Sequence, residues 1–418
     1  MRLSARMPMR RHHAGVCPDR VFDTLSNKYA VFVTHPSPRA ALPETLTMRR
    51  PFRLAAIALG LALATQTAAQ AQVLIGQTAG MSGPVASSVN ETIGGAQLVI
   101  DAANAQGGIH GEPIEMVRLD DGFDVKRAAE NGRVLIEERK VVALFMTRGT
   151  PHSQSIIPLL DKHGVALIGP STGAMVLHKP VQKHVFNVRA TYQREAEKAV
   201  QHLSTVGMSR IAVVYVTDSF GQDALEGAMN GFKAVQGQPA ATIQADREKP
   251  DYAAIVPKIV AANAQAVLWI GSGTAVVEGV KALRAAGSAA QVVTLSNNAS
   301  SGFIKQLGDA SRGVIVTQVF PSERAMGQPM VKEATMLAKA KGQMELSPAA
   351  LEGFASAKVL VEALRRAGPK PTRARVLAAL DGLKGYDLGG LEVSYSPQDH
   401  SGIDFADLSI ISEGRFKR

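Results

Sequence analysis

The sequence predicts an α/β protein of two Rossmann-like lobes with parallel sheets, and three observations carry that prediction. Short apolar runs alternate with helical stretches along the chain, many of these runs are apolar on both faces, and the alternation restarts after residue 190. The 418 residues, 46% of them hydrophobic, are enough for two or three domains of ordinary size. Aromatics make up only 5%, and the abundant Gly and Ala suit close packing of helices on sheets.

The elements follow in order. Val73–Gln77 is a short apolar run, and Asn90 is placed to cap a helix through Ala96, Leu98, Val99 and Ile100 that stops at Gly107-Gly108. Ile114–Leu119 alternates as a strand does, and Asp124 caps a helix through Ala128, Val134 and Leu135. Val141–Met146 is a continuous apolar strand, His152–His163 a helix and Val165–Ile168 another buried strand. The restart brings a helix at Tyr192–Val206, a strand at Ile211–Val216 and a helix at Gln222–Val235. Strands at Ala240–Gln244, Ala266–Ile270 and Val292–Leu295 alternate with helices at Ala253–Asn263 and Ala275–Ala286. Gly313–Phe320 is long enough to cross between lobes. Helices near Val331–Lys341, Pro348–Arg366 and Thr372–Leu380 precede strand-like Leu391–Tyr395 and Phe405–Ile411. No low-complexity linker interrupts this pattern, so the connections between lobes are themselves strands or short hinges. The boundaries read as 72–190 plus 319–387 for one lobe and 191–318 plus 388–418 for the other.

The N-terminus reads differently. Arg49-Arg50-Pro51-Phe52-Arg53 is a basic start, Leu54 to Ala64 an apolar run, and Ala69-Gln70-Ala71 a small-residue cleavage element. A run of about 11 residues is too short for a bilayer of about 30 Å. Residues 48–71 are therefore expected to be a cleaved export signal; Arg49-Arg50-x-Phe52 also fits part of a twin-arginine signal. Residues 1–47 lack periodicity and are expected to be a non-native or disordered extension, with translation starting at Met48. Residues 1–71 hold 10 of the 46 Lys/Arg and 3 of the 36 Asp/Glu, so the formal charge falls from +10 to +3 without them. With no basic stripe interleaved with aromatics, nucleic-acid binding finds no support. The sole cysteine, Cys17, also lies in this leader. The expected product is an exported, periplasmic protein with no disulfide, lipid anchor or thiol nucleophile.

Ligands of open parallel sheets bind beyond the carboxyl ends of the strands. The loops there are Thr78-Ala79-Gly80-Met81-Ser82-Gly83-Pro84, Thr147-Arg148-Gly149-Thr150-Pro151-His152 and Gly169-Pro170-Ser171-Thr172-Gly173-Ala174. In the second lobe they are Thr217-Asp218-Ser219-Phe220-Gly221, Gly271-Ser272-Gly273-Thr274 and Ser296-Asn297-Asn298. All are rich in Gly, Ser, Thr or Asn, and offer hydroxyls and free backbone N–H groups to a small anion or zwitterion.

In this order these loops resemble the type I periplasmic binding proteins of the branched-chain amino-acid (Leu/Ile/Val) class. The likeness runs over the chain from residue 72, through Ile75-Gly76, Ser82-Gly83-Pro84-Val85-Ala86, Gly94-Gly95-Ala96, Asn104 to Gly111, Asp120-Asp121, Gly169-Pro170-Ser171-Thr172 and Phe220-Gly221. It implies two lobes joined by a three-crossover hinge, closing on a solute that is handed to the permease of an ABC importer. It also implies a monomeric, non-enzymatic receptor without cofactor or metal. Thr150 and Ser171-Thr172-Gly173 match the positions that hold an amino acid's carboxylate; Met81, Ser82, Phe220 and Ser272 match positions lining the pocket. Arg148, Gly149, His152, Asn298 and Gln318 complete the expected binding set. There is one departure. The acid that usually meets the ligand's ammonium falls at Asn297-Asn298, so an amino acid or a related carboxylate or amide is expected. Asp218 can substitute, or cap a helix. Arg148 can pair with a ligand carboxylate, or face solvent or a neighbouring acid.

Other readings compete. Gly169-x-Ser171-x-Gly173 fits a nucleophile elbow, with Asp387 and His400 following in order, although no amphipathic helix opens after Gly173. Adjacent acids such as Asp120-Asp121 after a strand more often cap neighbouring helix amides and face water than hold a metal, and His178 and His184 are too far apart for one zinc face. Trp269 can wall the pocket or pack in the core. Gly271-Ser272-Gly273 lacks the Lys-Ser/Thr of a phosphate loop. A periplasmic sensor for a signalling receptor would share the same lobes. A transcriptional regulator would need a DNA-binding domain where the export signal stands.

Overall fold

The computed structural model describes residues 72–343 and 345–418; the predicted extension, the export signal and Cys17 lie outside the described residues. The first sheet contains β1 (Val73–Ala79), β2 (Ile114–Asp120), β3 (Ala143–Phe145), β4 (Ala166–Ile168) and β5 (Val185–Phe186). All its pairings are parallel, in the order β2-β1-β3-β4-β5. Helices α1 (Ala86–Ala105), α2 (Val125–Arg133) and α3 (Thr150–His163) make the crossovers that parallel strands require. Neighbouring residues of one strand serve opposite faces. Phe145 and Ile168 pack into the core shared with α1, while Leu144 and Leu167 pack into the core shared with α3. That two-sided burial is why these strands read as unbroken apolar runs.

The chain then enters α4 (Tyr192–Thr205) and builds β6 (Ile211–Val216), α5 (Ser219–Ala234), β7 (Ala241–Ala245), α6 (Tyr252–Ala261), β8 (Ala266–Ile270), α7 (Thr274–Ala285), β9 (Gln291–Thr294), α8 (Ser301–Leu307) and β10 (Ile315–Gln318). It returns to the first sheet for α9 (Pro329–Ala340), α10 (Pro348–Ala367), α11 (Arg373–Asp381) and the hairpin of β11 (Tyr386–Asp387) and β12 (Glu392–Val393), then ends in β13 (Asp407–Ser412) and β14 (Arg415–Lys417). The second sheet has the order β14-β13-β10-β9-β8-β6-β7, parallel from β7 to β10 and antiparallel at β13 and β14. Both sheets therefore place their first strand beside their third, the topological switch at which α/β sheets bind ligands.

Three crossings join the sheets. Ala190 packs in the first core and Tyr192 in the second sheet's core; Gln318 ends β10 while Val319 and Phe320 lie in the first core; Ile403 packs in the first core before β13 begins. The first and third run together, with Asn187 N–H donating to the His400 carbonyl (2.9 Å) and Ile403 N–H to the Val188 carbonyl (3.0 Å).

The structure shifts two expectations. Leu388, Val393 and Tyr395 sit in the first core, and the Tyr395 hydroxyl donates to the Asn187 carbonyl (2.7 Å), so the segment after residue 387 stays with the first sheet until near Ile403. Asn90 does not cap α1, which starts four residues earlier; the residue lies within the helix, and its exposed side chain donates to the Met81 carbonyl (3.2 Å). Of the two glycines in α1, Gly95 has a packing reason. A Cβ on Gly95 would lie 1.8 Å from the Ala350 carbonyl oxygen, so only glycine lets α10 cross α1 there.

Candidate functional site

The loop after β3 builds the floor of the cleft. Gly149 (φ 94°) turns the chain into α3, a conformation L-residues avoid, and places Thr150 at the first helical position. An isolated parallel bridge pairs Arg148 with Ser171 beyond the end of β4, and the Ser171 N–H donates to the Thr147 carbonyl (2.8 Å). The Thr150 and Thr172 hydroxyls meet at 2.7 Å. Arg148 is only 4% exposed. Its Nη1 donates to the Ser171 hydroxyl (3.0 Å), and its Nη2 to the Ser88 hydroxyl (3.2 Å) and to the Asn297 carbonyl of the second lobe (2.6 Å). Among the described residues no carboxylate comes within ion-pair distance of it. Burial lowers its pKa, with Tyr192 and Glu352 opposing, but a guanidinium keeps its proton. The result is a buried cation at the lobe interface whose hydrogen-bond partners among the described residues are all uncharged.

Beside it stands a second buried arginine with the opposite environment. Arg189, on the first crossing, forms an ion pair with Glu195 of α4 and donates to the Ser296 hydroxyl (2.8 Å). Glu195 also accepts from the Ser296 N–H (2.9 Å) and the Thr317 hydroxyl. Glu352 of α10 accepts from the Ser171 hydroxyl (2.8 Å) and lies 3.9 Å from Arg189 Nη1. Burial opposes the charge of Arg189, but Glu195, Tyr192 and Glu352 outweigh it and raise its pKa.

A cavity of about 970 Å³ opens between the lobes, reached from the loop after β3 by His152, whereas Arg148 and Ser171 line a separate pocket of about 10 Å³. Phe123, His152 and Lys126 line the larger cavity from the first lobe, and Arg247, Tyr252 and Ser272 from the second. His152 stacks on Phe123 at 4.4 Å, and Arg247 lies 5.3 Å from the Phe123 ring centroid. Neither ring nitrogen of His152 nor Arg247 Nη2 makes a hydrogen bond of normal geometry. Each such buried, unpaired atom costs about 1–3 kcal/mol.

The lobes touch along the cleft edge. The Glu91 carboxylate accepts from the Ser301 and Gly302 N–H groups (2.9 and 2.8 Å), Thr274 N–H donates to the Pro84 carbonyl (3.2 Å), and Ser219 Oγ donates to Gln154 (2.6 Å). These hydrogen bonds join the two lobes.

Two sheets whose switch-point loops face one cleft are the architecture of solute receptors, and the comparisons agree. The profile of the periplasmic binding protein family matches residues 72–408. The chain belongs to that family. The Leu/Ile/Val-binding protein homolog 3 of Brucella melitensis is 24% identical over 336 residues, which cover 78% of this binding protein and 88% of the relative. The crystal structure of a substrate-binding periplasmic protein from Ralstonia solanacearum shares 32% identity at a TM-score of 0.75, covering 81% of this chain and 97% of that one. A possible leucine/isoleucine/valine-binding protein from Rhodopirellula baltica superposes at a TM-score of 0.79 with 24% identity, over 84% and 97% of the two chains, and supports the fold alone.

The binding protein's loops bring Arg148, Gly149, Thr150, Ser171, Thr172 and Gly173 together on the floor, with His152 and Ser272 on the cavity wall. Gly173 holds the crossing in place: its carbonyl accepts from the Tyr192 N–H (2.8 Å), and a Cβ there would lie 2.5 Å from the Ala190 carbonyl oxygen. Asn298 accepts from the Gly273 N–H (2.8 Å) and donates to the Gly271 carbonyl (3.1 Å), while the Asn297 amide reaches the Ser272 hydroxyl (2.9 Å). Met81 and Ser82 are turned instead onto Asp120, which accepts from both of their N–H groups. Phe220 is packed edge-on against Tyr192 (4.8 Å) in the core, and the buried Gln318 amide approaches the Val316 carbonyl (3.4 Å).

Several readings are corrected. Arg148 does not face solvent, and among the described residues no acid is hydrogen-bonded to it. Asp121 does not face water; it is buried, accepts from Thr78 and the Phe123 N–H, and burial pushes its pKa up to about 6. Trp269 packs in the core. The nucleophile-elbow reading is not assembled: Ser171 is bonded to Glu352, Asp387 accepts from the Gly389 and Gly390 N–H groups, and the His400 ring faces the Gln182 and Val185 carbonyls. Asp218 caps α5 through the Phe220 and Gly221 N–H groups and pairs with Arg247. Glu352, Arg189 and Glu195 had no local signal, because their partners come from distant segments.

One pH effect follows from the lobe contacts. Asp223 of α5 accepts from the Met175 N–H (3.0 Å) and Gln193 (3.0 Å), and its other oxygen is buried without a partner. Burial raises its pKa to about 6 from 3.8. The folded state thus binds this proton more tightly than the unfolded chain, so the penalty of ionisation is present at pH 7 and disappears as pH falls through 6 towards 4. Asp223→Asn is expected to be more stable than wild type at pH 7, with the difference shrinking by pH 4.5, as read from urea unfolding at both values.

Proposed function

We propose that this chain is a periplasmic receptor that captures an amino acid or related small carboxylate or amide and delivers it to an ABC importer. One observation carries the reading: Arg148, a buried guanidinium at the lobe interface with hydroxyl and carbonyl partners but no carboxylate. A buried cation without a directly bonded carboxylate is expensive; Glu352 acts on it only through the Ser171 hydroxyl, and a solute carboxylate would supply the direct partner. The hydroxyls of Ser171, Thr150 and Thr172 cluster beside it as further partners. For an amino acid, the ammonium would meet Glu352 of the first lobe, since the second lobe offers only Asn297 and Asn298 at the usual position. The relatives' names support solute capture, and the basic, apolar and A-x-A segments before residue 72 support export.

Thermal unfolding of the purified protein with a panel of amino acids, amides and aromatic and aliphatic carboxylates tests this. A ligand present at 100 times its Kd adds about 2.7 kcal/mol, a shift of several degrees. A panel in which no carboxylate stabilises the protein refutes the reading.

A further inference from the structure

The edge of the cleft holds a fitted seam between the lobes that lies apart from the groups around Arg148. Ser87 and Glu91 stand four residues apart on one face of α1, just after Pro84. Glu91 Oε2 accepts from the Ser301 N–H (2.9 Å) and Oε1 from the Gly302 N–H (2.8 Å), donors that lie 210 and 211 residues further along the chain in α8. Gly302 has no positive φ, and glycine inside a helix is less favourable than alanine. Its reason is the approach of α1. A Cβ there would lie 1.7 Å from Ser87 Oγ and 2.9 Å from Ser87 Cβ, so turning the hydroxyl aside would not make room. Gly273 (φ 55°) repeats the fit: a Cβ there would lie 1.9 Å from the Pro84 carbonyl oxygen, which also accepts from the Thr274 N–H. The pocket left between these surfaces is about 10 Å³, room for about one water.

We propose that Glu91 and these two glycines form a latch that holds the lobes together across the cleft without help from a solute, and that its opening gates solute entry and release. Every contact in the seam is between protein groups. The Glu91 carboxylate exchanges water for two backbone donors only while the lobes touch, and hydrogen bonds to an ionised acceptor are among the stronger ones. Glu91 and Gly302 are hydrogen-bonded neither to Arg148 nor to its partners, so the latch can be weakened without altering the carboxylate site. The latch itself stands apart from the receptor reading above; only its gating of a solute rests on that reading.

The test is the distance between spin labels on Lys126→Cys and Lys249→Cys, exposed positions on opposite lobes that line the cavity of about 970 Å³, in the full solute-free chain carrying Cys17→Ser. The intact seam is expected to give one short distance. Glu91→Gln should raise the population at longer distance about tenfold relative to the short one. Gly302→Ala should give mainly the long distance, and adding Ser87→Gly should restore the short one. Circular dichroism confirms folding, and Glu91→Gln decides alone if the glycine variants do not fold. Distances that are the same with the intact seam, in Glu91→Gln and in Gly302→Ala overturn the latch, as does a lengthening that Ser87→Gly leaves in place. A second arm follows leucine, glutarate and 3-phenylpropanoate by stopped-flow fluorescence of unlabelled protein: an acid that binds should enter and leave about tenfold faster in Glu91→Gln. Wild-type exchange rates in that variant overturn the gating. Absence of binding by all three acids counts against the receptor reading, and the distances still decide the latch.

Discussion

Arg148→Ala is expected to lower solute affinity by two to three orders of magnitude in calorimetric titration. The guanidinium links Ser171 and Ser88 of one lobe to the Asn297 carbonyl of the other, so truncation removes both the counter-charge of a bound carboxylate and a bridge between lobes. Removing one partner of a buried, hydrogen-bonded charge pair costs about 2–5 kcal/mol. Arg148→Lys should recover little, because a point charge cannot serve both lobes as a fork does. The unliganded variant behaves differently. Wild type buries this charge without a directly bonded carboxylate, so its removal is expected to cause no loss of unfolding stability in urea titration.

Arg189 is the opposite case, although it is the same residue type in the same region. Its guanidinium is paired with Glu195, which also holds the Ser296 N–H and the Thr317 hydroxyl. Arg189→Ala leaves Glu195 buried and uncompensated, and is expected to cost about 3–5 kcal/mol of unfolding free energy in urea titration. Glu195→Gln should cost less, since the amide keeps hydrogen-bonding capacity while Arg189 retains Glu352 at 3.9 Å. A binding defect without destabilisation at Arg148, and destabilisation at Arg189, would separate the two arginines by role.

The contrast also marks what the sequence could and could not show. Ile211–Val216 and Ala266–Ile270 were predicted to the residue, because every position in them is buried and the run has abrupt ends. The floor of the cleft was legible because Gly149 and the hydroxyl residues around it sit at strand ends, where the chain must turn and where hydroxyls have no packing role. Arg148 stood out as a charge in such a loop, but its partners lie 23, 60 and 149 residues away, so its burial could not be read locally. Glu352 was hidden for the same reason. It lies in the first turns of α10, inside a stretch that reads simply as a helix, and meets Ser171 from 181 residues away. Phe220 misled in the other direction: its place after a strand end matched a pocket wall, yet Asp218 caps α5 so early that the ring is turned against Tyr192. The start of α1 went wrong because no side chain caps it, and Asn90 offered the nearest conventional signal.

The central claim is that the cleft grips a carboxylate through Arg148. Calorimetric titration of the wild-type protein with the stabilising acid and with its methyl ester tests it most directly. One acid bound per protein, at least about thirtyfold tighter than the ester, is the predicted result; equal affinities for acid and ester would contradict it.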